Sequence, residues 1–294
     1  MNILIKNGRV IDPATKTDKI SDLYIEAGKI KEIKEIREHI PDDMEIETFV
    51  HGAMCISYSG RCLLSNFFTG RDANQGACTH PCRWKYSVVE ETRPGEYMPV
   101  YENERGTYIF NSKDLCMIEH IPEMIDAGID SFKIEGRMKT ALYVATVART
   151  YRKAIDDYLE DPKKYEANMP WYRDQISNCT YRQFTTGFYF GKPGDESQIY
   201  DSNTYIKEYT YLGIIGGIKD GMYRIEQRNK FSVGETVEIM KPDGQNVEVT
   251  VEKIIDEDGQ EQESAPHPKQ VLYVALSGEA SVYDILRRQE GVTE

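Results

Sequence analysis

The sequence predicts an α/β fold, a partial parallel barrel with a Cys-rich insert, followed by a small all-β barrel at the C-terminus. Two observations support this prediction. Between residues 115 and 159, helix-period and strand-period apolar patterns alternate, which is typical of parallel α/β units. From residue 209 onward, short alternating segments separated by turn residues take over, which is typical of a small β-barrel.

Composition places the chain among ordinary soluble globular proteins. It has 294 residues, 40% of them hydrophobic and 29% charged, with a net charge of -13. Lys and Arg nearly balance Asp and Glu in residues 51–155 (13 against 12), whereas residues 156–294 are acidic (15 against 26). This distribution gives no support for non-specific coating of nucleic acid. With no run of about 18 to 20 apolar residues and no signal-peptide pattern, we expect a cytoplasmic protein without membrane contact.

The first fifty residues predict a hairpin-like start, a helix and a strand. Asn7–Gly8 and Asp12–Pro13 are turn signals between two short apolar segments, and Ile residues recur at helix spacing further on until Pro41. The predicted elements are strands at residues 3–5 and 23–25, a helix at 29–40 and a strand at 44–50.

The middle of the chain predicts a loop-rich insert and then helix, strand and helix. Residues 51–105 hold most of the cysteines and many glycines, so a metal centre rather than an apolar core is expected to stabilise them. Pro162, Pro170 and the polar stretch to residue 203 predict a linking region. The predicted elements are a helix at 115–127, a strand at 131–136 and a helix at 140–159.

The C-terminal part predicts a barrel of short strands. Pro242–Asp243–Gly244 is a turn signal between two of them. The predicted strands are residues 209–215, 222–228, 236–240, 247–255 and 270–275.

Four cysteines predict a metal centre. Their spacing is Cys55-x6-Cys62-x15-Cys78-x3-Cys82, and four thiolates satisfy either an iron-sulfur cluster or a tetrahedral zinc ion. Only one spacing is short, which favours the cluster over a zinc ribbon, and unligated buried thiols are the remaining alternative. Cys116 is interpreted as a small apolar core residue with a reserve ligand role.

The residues around these cysteines resemble a known signature. The segments that carry the resemblance are residues 47–55, 60–65, 70–76, 82–84, 111–115 and 132–137, which include Gly70-Arg-Asp-Ala-Asn-Gln-Gly76 and Phe132-Lys-Ile-Glu-Gly-Arg137. They are similar to peptidase family U32, and the resemblance extends over about residues 30–294. It implies a partial TIM-like barrel with the Cys cluster at 37–200 and the C-terminal β-barrel of the family at 205–290.

The resemblance also implies chemistry. Several members of the family are iron-sulfur proteins needed for RNA base hydroxylation. The long form with a C-terminal barrel is similar to those that make 5-hydroxyuridine in tRNA or 5-hydroxycytidine in ribosomal RNA, with prephenate as co-substrate. It implies a [4Fe-4S] cluster on Cys55, Cys62 and Cys78, with Cys82 as fourth ligand and Cys116 in reserve. An RNA hydroxylation protein is therefore the first hypothesis. A peptidase and a noncatalytic remnant or RNA-binding module are the alternatives.

Four further residues are catalytic candidates. Lys133, Glu135 and Arg137 follow a predicted barrel strand, where such folds hold active sites, or else they form an exposed ion-pair network. His51 beside the cysteine loop is either a base or structural. A protease mechanism finds little support, because the sequence contains no HExxH motif and no convincing Ser/His/Asp set.

Cations and a ring near the cysteines are candidates for RNA contact. Arg71, Arg83, Trp84 and Lys85 combine charge with a stacking surface, which an extruded base and its phosphates require. The alternative is that Arg83 and Trp84 pack the loop against the barrel.

The start of the chain resembles a different family. Residues 1–36 are similar to the N-terminal β-segment of dihydroorotase-type amidohydrolases, but no His-x-His follows, so that activity is not expected. We interpret the junction as a fusion, a rearranged gene or an artefact. A barrel without its first units exposes strand edges, so we expect impaired activity and self-association through the incomplete barrel.

Overall fold

The computed structural model describes residues 3–12, 17–25, 30–55, 62–84, 87–89, 95, 97–99, 112–191, 193–197, 199 and 206–290. The helices are α1 (Ile30–His39), α2 (Leu64–Thr69), α3 (Ile121–Asp126), α4 (Ala141–Glu160) and α5 (Pro162–Ser177). The strands are β1 (Ile3–Asp12), β2 (Thr17–Ile25), β3 (Glu47–Ala53), β4 (Ser87–Val89), β5 (Tyr97–Pro99), β6 (Asp114–Cys116), β7 (Ser131–Ile134), β8 (Phe184–Thr185), β9 (Tyr209–Lys219), β10 (Met222–Gln227), β11 (Thr236–Met240), β12 (Asn246–Asp256), β13 (Glu261–Gln262), β14 (Val271–Leu276) and β15 (Ile285–Gln289). Short 3₁₀-helices cover Ala73–Gln75, Pro81–Arg83, Ile118–His120 and Asp195–Ser197.

The chain starts with the predicted hairpin. Strands β1 and β2 pair antiparallel, with Asp12 opposite Thr17. Asn7–Gly8, predicted as a turn, lies inside β1, where the pairing shifts between Ile5 and Gly8. The turn prediction at Asn7–Gly8 is therefore wrong, and the glycine accommodates an irregularity in the strand instead.

The α/β part contains a four-stranded mixed sheet in the order β7-β3-β6-β8. Strand β3 runs parallel to β7 and antiparallel to β6, while β8 is parallel to β6. Helix α4 packs on this sheet through a buried face that includes Tyr143, Val147 and Tyr151. An α/β arrangement is confirmed, whereas the described residues do not confirm the partial TIM-like barrel.

Two predicted boundaries in the α/β part are wrong. The helix predicted at 115–127 is a strand, a 3₁₀-turn and then α3, which begins only at Ile121. The predicted linking region contains α5, which begins at Pro162 after Asp161, whose carboxylate accepts a hydrogen bond from the Lys163 amide at 3.0 Å. A capping aspartate followed by proline is a favourable helix start, so the proline that suggested a break begins the helix.

The C-terminal strands form the predicted barrel. They pair in the order β11-β15-β9-β10-β14-β12, and an additional pairing of β11 with β12 closes the circle. The barrel has its own apolar core, in which Leu212, Ile225 and Leu286 are fully buried. Strand β15, absent from the sequence prediction, contributes the fully buried Arg287 beside Leu286.

Helix α4 joins the two parts. Leu142 of α4 packs with Tyr211, Met240 and Ile285 of the barrel. The Arg149 guanidinium donates hydrogen bonds to the Lys241 carbonyl at 2.8 Å and to the Asn246 side chain at 3.0 Å. Burial, followed by the charge of Arg287, lowers the pKa of Arg149 to about 10. The same helix therefore supports both the sheet and the barrel.

A buried carboxylate connects α4 to α5. Asp157 accepts hydrogen bonds from Tyr172 at 2.6 Å and Asn168 at 2.8 Å, and its oxygens lie 3.0 Å from Lys153 Nζ and 2.9 Å from Lys164 Nζ. Burial by itself raises the pKa of Asp157. These four donors more than reverse that effect, so the pKa is well below its ordinary value.

The Asp157→Asn variant is expected to lose about 2 kcal/mol of unfolding free energy at pH 7, because it loses charge-assisted hydrogen bonds. The folded-state pKa is lowered, so this stabilisation is present above the unfolded pKa of about 4 and disappears as the pH falls further. Urea unfolding of both proteins at pH 7 and pH 3 checks this. A difference that stays constant or grows toward pH 3 would contradict the assignment.

Three expectations concern membrane helices, the junction after residue 36 and self-association. No helix in the described parts of the chain has the length and apolarity needed to cross a membrane. The interpretation of residues 1–36 as a join stays a prediction, and so does self-association through an incomplete barrel.

Candidate functional site

The four cysteines of the predicted metal centre line one cavity of about 540 Å³. Cys55 follows strand β3, and Cys62 precedes helix α2. Cys78 lies between the two 3₁₀-turns of the Cys-rich segment, and Cys82 lies in the second of them. The opposite wall comes from the end of β3, from Leu115 of β6 and from the residues that follow β7. The cavity therefore separates the Cys-rich segment (residues 62–84) from the edge of the mixed sheet.

Hydroxyl groups hold the Cys-rich segment together. The buried Ser65 of α2 accepts a hydrogen bond from the Thr79 amide at 3.0 Å, which ties the helix to the residue after Cys78. Thr69 donates to the Ser65 carbonyl at 2.7 Å, within the same helix. These polar contacts fix the path of the chain around the cavity, where the large apolar side chains Leu63, Phe67 and Phe68 are exposed and do not form a core.

The backbone after Cys78 turns toward its own sulfur. The His80 amide donates to the Cys78 sulfur at 3.3 Å, and His80 adopts a left-handed conformation with φ of 56°. Such a conformation is uncommon outside glycine and is found where the surroundings hold it. The hydrogen bond from the His80 amide fixes the position of the Cys78 sulfur.

The cysteines have the right donor chemistry for a soft metal, but their side chains are not grouped around one point. None of the six is in a disulfide. Among the described residues, no group of three or more His, Cys, Asp or Glu side chains is arranged to hold a metal ion. Four thiols on one cavity are nevertheless the donor set of an iron-sulfur cluster or zinc, and no other described residues lining the cavity offer a comparable set.

Cys116 faces a different cavity. Neighbouring residues of a strand point to opposite faces, and accordingly Leu115 lines the cysteine cavity whereas Cys116 lines a second one of about 380 Å³. Burial raises the pKa of Cys116 to about 11, and its sulfur lies 3.9 Å from the Tyr151 hydroxyl. This environment is that of a core thiol and favours Cys82 over Cys116 as the fourth ligand.

Lys133 and Glu135, predicted at a strand end, both line the cavity. Lys133 Nζ lies 2.6 Å from Glu47 Oε1, and both side chains are about half exposed. Glu135 lies against Gly52, where a Cβ would be 2.6 Å from the Glu135 carbonyl oxygen. Gly52 has φ of 128°, so glycine is required there to bring β3 close to the end of β7.

The side chain of Arg137, which follows strand β7, reaches the Cys-rich segment. Its backbone amide donates to Glu135 Oε1 at 3.2 Å. Its exposed side chain lies directly over Gly76, where a Cβ would be 1.4 Å from Nη1. Within the described part of the chain, its guanidinium makes no ion pair or side-chain hydrogen bond. Arg137 is therefore a cation at the cavity whose donors are available.

His51 is buried at the base of the cavity wall. Its side chain is surrounded by the rings of Tyr143, Tyr151 and Phe184, with centroids 5.6 to 6.0 Å away. Burial, followed by the charge of Lys139, lowers its pKa to about 3, so the ring is neutral at physiological pH. A base of that strength removes protons poorly near pH 7. Of the two roles considered for His51, the structural one is favoured.

The RNA-contact candidates are only partly described. Arg71 is exposed, Lys85 lies outside the described residues, and the side chain of Arg83 does too. Trp84 is 44% exposed and lies near Phe68, with ring centroids 6.1 Å apart. Phe67, 81% exposed, contacts Phe68 at 5.2 Å. The sequence interpretation missed this aromatic cluster (Phe67, Phe68 and Trp84), although the Phe-Phe pair within a polar segment was a signal.

Comparison with protein families identifies the chain. The model of peptidase family U32 matches residues 28–199, and the model of the family's C-terminal domain matches residues 207–287. The chain belongs to peptidase family U32. Both matches agree with the resemblance carried by the cysteine signature and by the C-terminal strands.

Curated relatives of this U32 protein have two kinds of names. It is 40% identical to "tRNA hydroxylation protein P1" of Bacillus subtilis, over 87% of this chain and 60% of that protein. It is 37% identical to "tRNA hydroxylation protein P" of Escherichia coli, over 81% of this chain and 60% of that protein. A "Collagenase" of Porphyromonas gingivalis is 36% identical over 68% of this chain and 47% of that protein. The chain spans about 60% of the length of the tRNA hydroxylation relatives it matches.

A solved structure matches part of this U32 chain. The C-terminal domain of a Geobacillus thermoleovorans U32 peptidase is 32% identical, and the match covers 28% of this chain and 92% of that structure, with a TM-score of 0.25.

Proposed function

We propose that this U32 chain holds a [4Fe-4S] cluster and takes part in the hydroxylation of a tRNA base. The observation that carries the proposal is that Cys55, Cys62, Cys78 and Cys82 line one cavity together with Arg137. The curated relatives named for tRNA hydroxylation support the choice of reaction and substrate. In this proposal, the parallel strands β3 and β7 with helix α4 are units of a partial TIM-like barrel.

Each part of the site has a role in this proposal. The four cysteines hold the cluster, which supplies electron transfer when bound. The cavity volume is within the range of small-molecule sites and is large enough for one nucleobase. The exposed aromatic cluster offers stacking surfaces for neighbouring bases. Prephenate as co-substrate stays part of the proposal through the family resemblance.

The proposal is tested by metal content and by RNA analysis together. We expect protein purified without oxygen to contain roughly four iron and four sulfide per chain, both lost in the Cys62→Ser variant. We also expect expression of the chain in a bacterium lacking its relatives to restore the hydroxylated nucleoside in tRNA, measured by mass spectrometry, and Cys62→Ser to abolish it. Zinc alone, or a cluster without any change in the RNA, would contradict the proposal.

A peptidase is the second candidate, favoured by the relative named collagenase. Cleavage of collagen or casein that persists after metal removal and in the Cys55→Ser variant would establish it. The third possibility, a noncatalytic remnant or RNA-binding module, would be established by RNA and cluster binding without modification.

A further inference from the structure

We infer that Arg137 binds a phosphate of the RNA backbone beside the nucleotide that enters the cavity, and that Gly76 is the residue that allows it to do so. The inference rests on the proposed function, since it assumes that an RNA nucleotide is the occupant. It adds a positioning contact made by a residue that lies outside the cysteine set.

The first step is the contact between Arg137 and Gly76. A Cβ on Gly76 would lie 1.4 Å from Nη1, 2.2 Å from Cζ and 2.3 Å from Cδ of Arg137. No residue other than glycine therefore leaves the guanidinium where it is. Because the clash is with the far end of a flexible side chain, an added methyl group would displace the guanidinium without disrupting the backbone around it.

The second step is the state of the guanidinium. Two carboxylates of this part of the sheet are engaged elsewhere: Glu135, after β7, accepts the Arg137 backbone amide, and Glu47 of β3 pairs with Lys133. Among the residues the structure describes, none accepts a hydrogen bond from the guanidinium itself. Its planar fork of donors matches the oxygens of a phosphate.

The third step is its position. Arg137 lines the cavity, yet its side chain is exposed, so it lies at the mouth and not at the buried wall formed by His51. A base that is turned out of its stack enters such a pocket while its flanking phosphates stay outside. A cation at the mouth therefore meets a phosphate and not the base. The aromatic cluster on the same segment would stack the neighbouring bases.

Two glycines of the same segment provide a matched experiment. Gly70 and Gly76 have φ of 69° and 71°, so alanine imposes similar backbone strain at both. A Cβ at Gly70 meets no atom within 4 Å, whereas a Cβ at Gly76 meets Arg137. Purified Gly70→Ala, Gly76→Ala, Arg137→Ala and Arg137→Lys proteins would be titrated against bacterial tRNA and a synthetic anticodon stem-loop over a series of KCl concentrations. Iron content and thermal unfolding would establish that each is folded.

We expect Gly76→Ala and Arg137→Ala to bind RNA roughly tenfold more weakly than Gly70→Ala, which should bind like wild type. The slope of log K against log [KCl] should fall by about 0.7 to 0.9, the value for one phosphate contact. Arg137→Lys should keep that slope while losing part of the affinity, because it keeps the charge but not the fork.

The outcomes separate this inference from the proposed function. Equal RNA affinity of Gly76→Ala and Gly70→Ala, with hydroxylation intact, would overturn the inference alone. If the Arg137 variants lose hydroxylation while their RNA affinity and salt slope stay unchanged, Arg137 binds a small carboxylic acid instead. That result would overturn the phosphate contact. Wild-type protein that binds no RNA would overturn both.

Discussion

The Cys82→Ala variant is expected to lose the iron-sulfur cluster, whereas the Cys116→Ala variant is expected to keep it. Cys82 lines the cavity shared with Cys55, Cys62 and Cys78, while Cys116 lines the second cavity on the other face of β6. Iron, acid-labile sulfide and visible absorption, measured on anaerobically purified proteins, distinguish the two. Hydroxylation by Cys82→Ala should fall by at least the roughly 10- to 100-fold that accompanies damage around a metal centre.

Cys116→Ala is a suitable control because it removes a thiol of the same region from a site that holds no other cysteine. It should lose some stability through the lost packing next to Tyr151, which thermal unfolding would register. A cluster retained in Cys82→Ala and lost in Cys116→Ala would reverse the assignment of the fourth ligand.

The Glu238→Ala variant is expected to lose about 3 to 5 kcal/mol of unfolding free energy, because it leaves a buried charge without its partner. Arg287 is fully buried, and its Nε donates to Glu238 Oε1 at 2.6 Å. Its guanidinium also lies 4.2 Å from the centroid of the Tyr209 ring. The nearby Arg149 is a second buried cation, so removal of the carboxylate also increases repulsion at the junction between α4 and the barrel.

Urea unfolding measures this loss, and a double variant provides the control. Glu238→Leu combined with Arg287→Met replaces the pair by apolar side chains, which in buried ion pairs is often neutral or stabilising. We expect the double variant to be more stable than Glu238→Ala. If Glu238→Ala alone costs less than about 1 kcal/mol, the pair behaves like a surface salt bridge and the junction does not depend on it.

Regular apolar patterns predicted most of the fold. Helices α1 and α4 lie where Ile and Tyr residues recur at helix spacing, and β11 has the predicted bounds. The false helix at 115–127 arose because a strand, a 3₁₀-turn and α3 all bury residues against the same core, so that their combined spacing imitates one helix. Strand β15 was missed because Arg287 and Arg288 look solvent-exposed, and only the partner carboxylates in the fold explain them.

In the candidate site, too, features that are local in the sequence could be predicted, whereas contacts between distant segments could not. The cysteine spacing predicted one common site for four residues that are close in sequence, and all four line one cavity. The contact of Arg137 with Gly76 joins two segments that only the fold brings together, so no local pattern announces it. The environment of His51 is likewise tertiary, since its neighbours Tyr143 and Phe184 come from α4 and β8.

The alternation of Leu115 and Cys116 along β6 makes the set of sulfurs on the cysteine cavity depend on strand alignment. A slip of β6 by one residue would exchange the two side chains and present a fifth sulfur to the cysteine cavity. The Asp114 amide donates to the Gln183 carbonyl at 2.9 Å, and the Arg182 amide donates to the Asp114 carboxylate at 3.2 Å, so both bonds oppose such a slip. In the proposed iron-sulfur protein, these two bonds would therefore limit which sulfurs an incoming metal reaches.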